Sequence, residues 1–239
     1  MGYKGICSAS VIAHSLVFKF EDHLPFYRQS KIYKRQDIDL SDRTLCNNAL
    51  KSSDLFESIL DLLKEDLLSS NYIASDETTL NVLLDKDATS YMWVYHTGSR
   101  DKRAVIFDYS SSRSGNNPYN FLKGFKGIHQ CDGYSGYNSL YKKGDILRQG
   151  CKDHARRKFM DVYKLSDKKA GLAKDILKLM KKLYKLESEA KDKNLTLNEI
   201  KKIRQEKAKP ILADIKKLIT LNQDKVPEKS PLGKAIYYT

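Results

Sequence analysis

Apolar positions in the first seventy residues recur at helical spacing. Residues 26–36 place Ile32 and Tyr33 on one side, and Asp37-Ile38-Asp39-Leu40 then breaks the pattern. Ser41 is the N-cap expected for a second helix over residues 42–51, with Leu45 and Ala49 four apart. Helix, short turn and capped helix outline a helix-turn-helix, and equally any helical hairpin. Leu55, Ile59, Leu62, Leu63 and Leu67 continue as a stripe that predicts a core-facing helix.

The pattern changes at Asn71. Residues 72–75 (YIAS) predict a strand that ends at Asp76, and residues 80–84 are largely apolar. Residues 91–95 (YMWVY) and 104–107 (AVIF) predict two more strands, joined by the turn-like Gly98-Ser99-Arg100-Asp101. A short helix over 117–123, a strand over 127–131 ending at Asp132-Gly133, a helix over 134–141, a strand over 146–151 and a basic helix over 153–163 follow. That order predicts an α/β fold with a sheet of mixed strand direction. From Asp167 the pattern is purely helical. Leu172, Ile176, Leu179, Met180, Leu183 and Leu186 form one stripe. Thr196-Leu197-Asn198-Glu199 is a capping box opening a second helix, which Pro210 kinks or divides. Ser230-Pro231 opens a further helix. The expected division is a helical segment (1–69), an α/β core (70–165), a basic helical hairpin (166–229) and the start of a further core helix (230–239).

Charge adds a partner to this picture. Lys and Arg total 43 against 30 Asp and Glu, a net +13, and residues 167–229 hold eighteen of the basic residues and ten of the acidic ones. Such a surplus points to a polyanion, nucleic acid before an acidic membrane. No run approaches the ~18 apolar residues of a membrane span. Cys7, Cys46, Cys131 and Cys151 form no CxxC pair, which suits a reduced cytoplasmic protein.

Candidate chemistry lies at the strand ends. Asp76 and Asp132 each close a strand, where carboxylates of one sheet can converge on a hard cation. An aspartate there serves equally as a turn or N-cap residue. Glu77 is expected on the opposite face from Asp76, because neighbours in a strand alternate. Asp108 is a spare candidate or a solvated turn residue. Arg156, Arg157 and Lys158 can take phosphates or form a solvated basic face. Cys151 and His154 cannot complete a zinc site on their own. Tyr134 and Tyr137 can stack on bases or pack on the sheet.

Five segments in order carry a resemblance: residues 23–29 (HLPFYRQ), 76–78 (DET), 91–95 (YMWVY), 132–138 (DGYSGYN) and 154–159 (HARRKF). The chain resembles the transposases of the bacterial insertion-sequence-sixty-six family, DDE enzymes on a ribonuclease-H-like fold. The resemblance implies that Asp76 and Asp132 are the first two catalytic carboxylates, holding Mg²⁺ or Mn²⁺ for DNA strand cleavage and transfer. It implies that the basic hairpin is an insertion in the core, and that element ends and target DNA are partners. His154, Arg156, Arg157, Lys158, Arg43 and Lys51 are the expected DNA contacts, in a cytoplasmic, nucleoid-associated bacterial protein. In the family the third carboxylate, a glutamate, lies downstream of the segment matching residues 231–236, and further DNA-binding elements precede the point matching Met1. The expectation is therefore a chain inactive in strand transfer, which either binds DNA or joins full-length enzyme as a repressor, or is a gene relic. Association with another copy is also expected.

Overall fold

The computed structural model describes residues 7–83, 89–98, 103–142, 144–167 and 171–239. It divides into two compact units, one up to Ser69 and one from Ser70 onward. The expected turn at residues 98–101 falls mostly outside the described residues, as does Leu84.

The first unit is three helices, α1 (Ala9–Phe20), α2 (Phe26–Lys34) and α3 (Asp42–Leu68). Ser8 and Ser41 cap α1 and α3, each accepting from a backbone N–H three residues on. Tyr33, Leu40, Leu45 and Cys7 form the core, packed by Val11, Ile12 and Phe26. Beside them the buried Gln29 accepts from Ser15 Oγ and donates to the carbonyls of Ser15 and Leu24. Two expectations are corrected here. The helix after Ser41 does not stop at residue 51, because Ser52 and Ser53 turn their hydroxyls onto the carbonyls of Asn48 and Leu50 and the helix continues. The stripe beyond it is not core-facing throughout: Leu67 is buried, but Leu55, Ile59 and Leu62 are exposed. Periodicity reports that a helix has an apolar face, not what covers it.

The second unit is built on a five-stranded mixed sheet in the order β3-β2-β1-β4-β5. Its strands are β1 (Tyr72–Leu80), β2 (Ser90–Thr97), β3 (Val105–Ser110), β4 (Gly127–Cys131) and β5 (Ile146–Gly150). The first three are antiparallel neighbours, and β4 and β5 run parallel to β1. The expected α/β class with mixed strand direction is what the chain adopts. One face of the sheet is covered by α4 (Asn116–Phe121) and a 3₁₀ helix (Ser135–Tyr141). There Tyr95 stacks on Phe121 with centroids 3.7 Å apart, and Trp93 meets Tyr137 edge-on at 5.9 Å. Trp93, Tyr95 and Tyr137 are fully buried, so aromatic packing closes this side.

The remaining helices form a second core. They are α5 (Lys152–Leu165), α6 (Leu172–Asp192), α7 (Leu197–Ile203), α8 (Lys209–Asn222) and α9 (Pro231–Tyr238). Phe159, Ile176, Met180, Leu183, Ile215 and Ile236 are buried together. The capping box at Thr196 and Glu199 forms as its spacing requires. Ahead of Pro210 the chain widens into a π-helical segment, Arg204–Ala208, so the proline is absorbed by re-paired backbone rather than by a break.

A candidate metal site and nucleic-acid interface

The register of β1 and β4 decides how the two aspartates stand. Tyr72, Ile73 and Ala74 pair with Ile128, His129 and Gln130. Carried two residues further along both chains, this register would bring Asp76 level with Asp132. Side chains alternate along a strand, so Asp76 shares a face with Ala74. Tyr72 OH donating to Gln130 Oε1 at 2.8 Å marks the same face. Neighbouring parallel strands lie ~4.8 Å apart.

One expectation about Asp76 is corrected. It does not end its strand, because β1 runs on to Leu80 paired with β2, where Asp76 faces Val94. What ends near Asp76 is the partner: β4 stops at Cys131. The polar residues after Asp76 resemble a turn in sequence, yet they are held by the antiparallel ladder. Asp108 likewise sits within β3 opposite Trp93, on the reverse face, and cannot join Asp76.

Each aspartate has fixed surroundings. The Asp76 side chain is 58% exposed, and His154 Nε2 of α5 lies 3.7 Å from its Oδ2. The His154 Nδ1 is buried without a hydrogen-bond partner among the described residues. Asp132 Oδ1 accepts from the Tyr134 N–H at 2.8 Å. Its carbonyl accepts from Arg148 Nη2 at 2.9 Å, while Arg148 Nη1 donates to Asn138 Oδ1 at 3.1 Å. The next N–H, of Gly133, donates to Tyr238 OH of α9 at 2.9 Å. Glycine is needed there, since a Cβ would stand 2.5 Å from the Tyr238 ring.

Glu77 faces the reverse side, as alternation requires. Its side chain is 2% exposed and paired with Arg113 at 2.6 Å, and Tyr137 OH donates to its other oxygen at 2.8 Å. Both tyrosines of the 132–138 segment therefore pack rather than present free ring faces: Tyr137 is buried, and Tyr134 lies under the Arg113 guanidinium, 4.2 Å away. Behind the aspartates His129 bonds Ser75 Oγ at 2.7 Å and Tyr141 OH at 2.8 Å. Burial, and then the Arg148 cation, pull the His129 imidazole down to about 4. Burial pushes the Tyr137 and Tyr141 hydroxyls well above the usual phenol range.

The basic residues divide. His154 and Lys158 stand one helical turn apart on α5: His154 borders Asp76, and Lys158 Nζ lies 4.6 Å from the centre of the Tyr238 ring, whose hydroxyl accepts from the Gly133 N–H. Arg156 instead lies 5.7 Å from the Tyr184 ring of α6, whose hydroxyl donates to Asp153. Arg157 is exposed. Arg43 and Lys51 stand on exposed positions of α3 in the first unit. Arg113, Arg148 and Tyr238 had no signal in the pattern. Arg113 sits in a Ser/Gly loop, and the other two act through contacts distant in sequence.

The sequence profile described as Transposase IS66 family matches residues 4–239. The chain belongs to that family. Two similar proteins of Sinorhizobium fredii (strain NBRC 101917 / NGR234), the uncharacterized proteins y4qI and y4jD, are each 30% identical to it. Both alignments cover 98% of this chain but 46% and 48% of those proteins. A third, the uncharacterized protein y4hP of the same organism, is 28% identical. The chain thus spans about half the length of the curated relatives it matches. No described helix is long and apolar enough to cross a membrane.

Proposed function

We propose that the second unit is the ribonuclease-H-like centre of a DDE transposase, with Asp76 and Asp132 as its first two catalytic carboxylates. What supports this reading most is the parallel register of β1 and β4, which leads toward Asp76 on one chain and Asp132 on the other where β4 stops. The strand order, three antiparallel strands followed by two parallel additions, supports the same reading.

The donor set fits a hard divalent ion. Mg²⁺ is commonly held by one or two carboxylates, with water and phosphate oxygens completing its shell. Asp76 and Asp132 would hold Mg²⁺ or Mn²⁺, and when bound the ion supplies Lewis acidity for displacement at a phosphodiester. Two ions require more carboxylates, and among the described residues no group of three or more His, Cys, Asp or Glu is placed to hold a metal. We therefore assign one ion to this pair, and expect residues 1–239 alone to bind Mn²⁺ and DNA without strand transfer. His154 and Lys158 receive the phosphate backbone beside the pair. Arg156 and Arg157 extend that basic edge, and Arg43 and Lys51 supply phosphate contacts from the helical unit.

Calorimetric titration with Mn²⁺ and a fluorescent duplex-binding assay test this. Asp76→Asn and Asp132→Asn should each abolish Mn²⁺ binding. Lys158→Ala should weaken duplex binding and lower its salt slope by about 1. Mn²⁺ binding that survives both aspartate changes would sink the metal assignment. Strand transfer by residues 1–239 that Asp76→Asn removes would overturn the single-ion reading.

A further inference from the structure

We propose that Arg113, held by Glu77 on the reverse face of the sheet, is a positioning residue that sets the separation of Asp76 and Asp132. The inference rests on the metal-pair reading above and concerns how the pair is kept in place.

The need follows from the register. The parallel pairing of β1 with β4 is recorded up to Ala74 and Gln130, two residues short of the aspartates. Beyond that point, β2 holds Asp76 from one side only, and Asp132 lies past the end of β4. Something else must tie the two chains together.

Arg113 does so through the residues beside each aspartate. Its Nε and Nη2 donate to Glu77 Oε1 at 2.9 and 2.6 Å, and Glu77 follows Asp76 directly. Its guanidinium lies 4.2 Å from the Tyr134 ring centre, and its own carbonyl accepts from Tyr134 OH. Tyr134 in turn donates its N–H to Asp132 Oδ1 at 2.8 Å. Tyr137 OH, donating to Glu77 Oε2 at 2.8 Å, adds a second tie from the same turn. The loop bearing Arg113 is pressed against that turn, since a Cβ on Gly115 would stand 2.4 Å from the Gly136 carbonyl oxygen. One side chain thus joins the chain after Asp76 to the chain after Asp132, hydrogen-bonding neither carboxylate among the described residues, while its charge also acts on Asp132. The Arg113 side chain is 45% exposed but that of Glu77 is 2% exposed, so Arg113→Ala leaves a buried carboxylate without its cation and should also cost stability. Arg113→Lys, which keeps a cation beside Glu77, separates positioning from stability.

The test uses two readouts on the whole chain. The first is Mn²⁺ affinity by calorimetry, for wild type, Arg113→Ala, Arg113→Lys and Glu77→Gln. Loss of a residue that orients ligands commonly costs tenfold or more in metal affinity, so Arg113→Ala should weaken binding about tenfold. Arg113→Lys keeps the charge but not the fork or the flat stack, and should fall between. The second readout is hydrogen exchange at the Tyr134 amide, which needs no metal. Arg113→Ala should speed it, while the Tyr95 amide in β2 stays protected. Unchanged Mn²⁺ affinity and unchanged Tyr134 exchange in folded Arg113→Ala would overturn the proposal. If wild type binds no Mn²⁺, the metal reading fails and the exchange result alone decides the positioning role. If Arg113→Ala does not fold, the same two measurements on Arg113→Lys decide it.

Discussion

Lowering the pH should destabilise this protein through one buried imidazole. His129 has no exposed surface, and both ring nitrogens are engaged, one by Ser75 and one by Tyr141. A neutral ring satisfies that arrangement with one donor and one acceptor, whereas a protonated ring must donate from both. Burial and the nearby Arg148 hold the folded-state value down to about 4, against 6.5 for a free imidazole. The sign follows directly. Below pH 6.5 the unfolded chain binds a proton that the folded chain refuses, so stability falls as pH drops from 6.5 to about 4 and then levels off. Each factor of ten in proton affinity corresponds to ~1.4 kcal/mol, which limits the full loss to about 3 kcal/mol and the loss by about pH 5 to roughly 2 kcal/mol. Urea unfolding at about pH 7 and about pH 5, on wild type and His129→Gln, isolates the contribution. The variant should start less stable, having given up well-made hydrogen bonds. It should then lose roughly 2 kcal/mol less than wild type on acidification. Equal losses in the two proteins would refute the argument.

Two further outcomes concern the helical core. Phe159→Ala, at a fully buried position between α5 and the helices packed on it, should cost about 3–5 kcal/mol in urea or thermal unfolding. Thr196→Ala removes the side-chain half of a capping box whose Glu199 partner is well formed, and should cost about 1 kcal/mol with a small loss of helical circular dichroism.

Local rules were readable in the sequence, and contacts across the fold were not. The caps at Ser41, Thr196 and Ser230 and the strand Gly127–Cys131 needed only neighbouring residues to specify them. The placement of Glu77 opposite Asp76 followed from the two-residue period of a strand. The extent of β1 did not, because Glu77, Thr78 and Thr79 belong to a strand only by virtue of β2 alongside. Nor was the continuation of α3 past residue 51 readable, since serine can bond its own backbone inside or outside a helix, and here Ser52 and Ser53 both bond back into it. Arg113 and Arg148 were invisible for a different reason. Each matters through a partner from another strand or loop, and no spacing along the chain encodes that meeting.

The pair Asp76-Glu77 has a consequence for which mutations this protein can survive. Two adjacent carboxylates are sent to opposite sides of one sheet, one half-open and one sealed against Arg113 and Tyr137. Gaining or losing a single residue between Tyr72 and Asp76 would exchange them: Glu77 would turn toward the half-open side and Asp76 toward the sealed one. The carboxylate facing out would then be one methylene too long, and the one facing in too short for its arginine. Substitutions along β1 should be graded in their effects, whereas single-residue insertions and deletions there should be all-or-none.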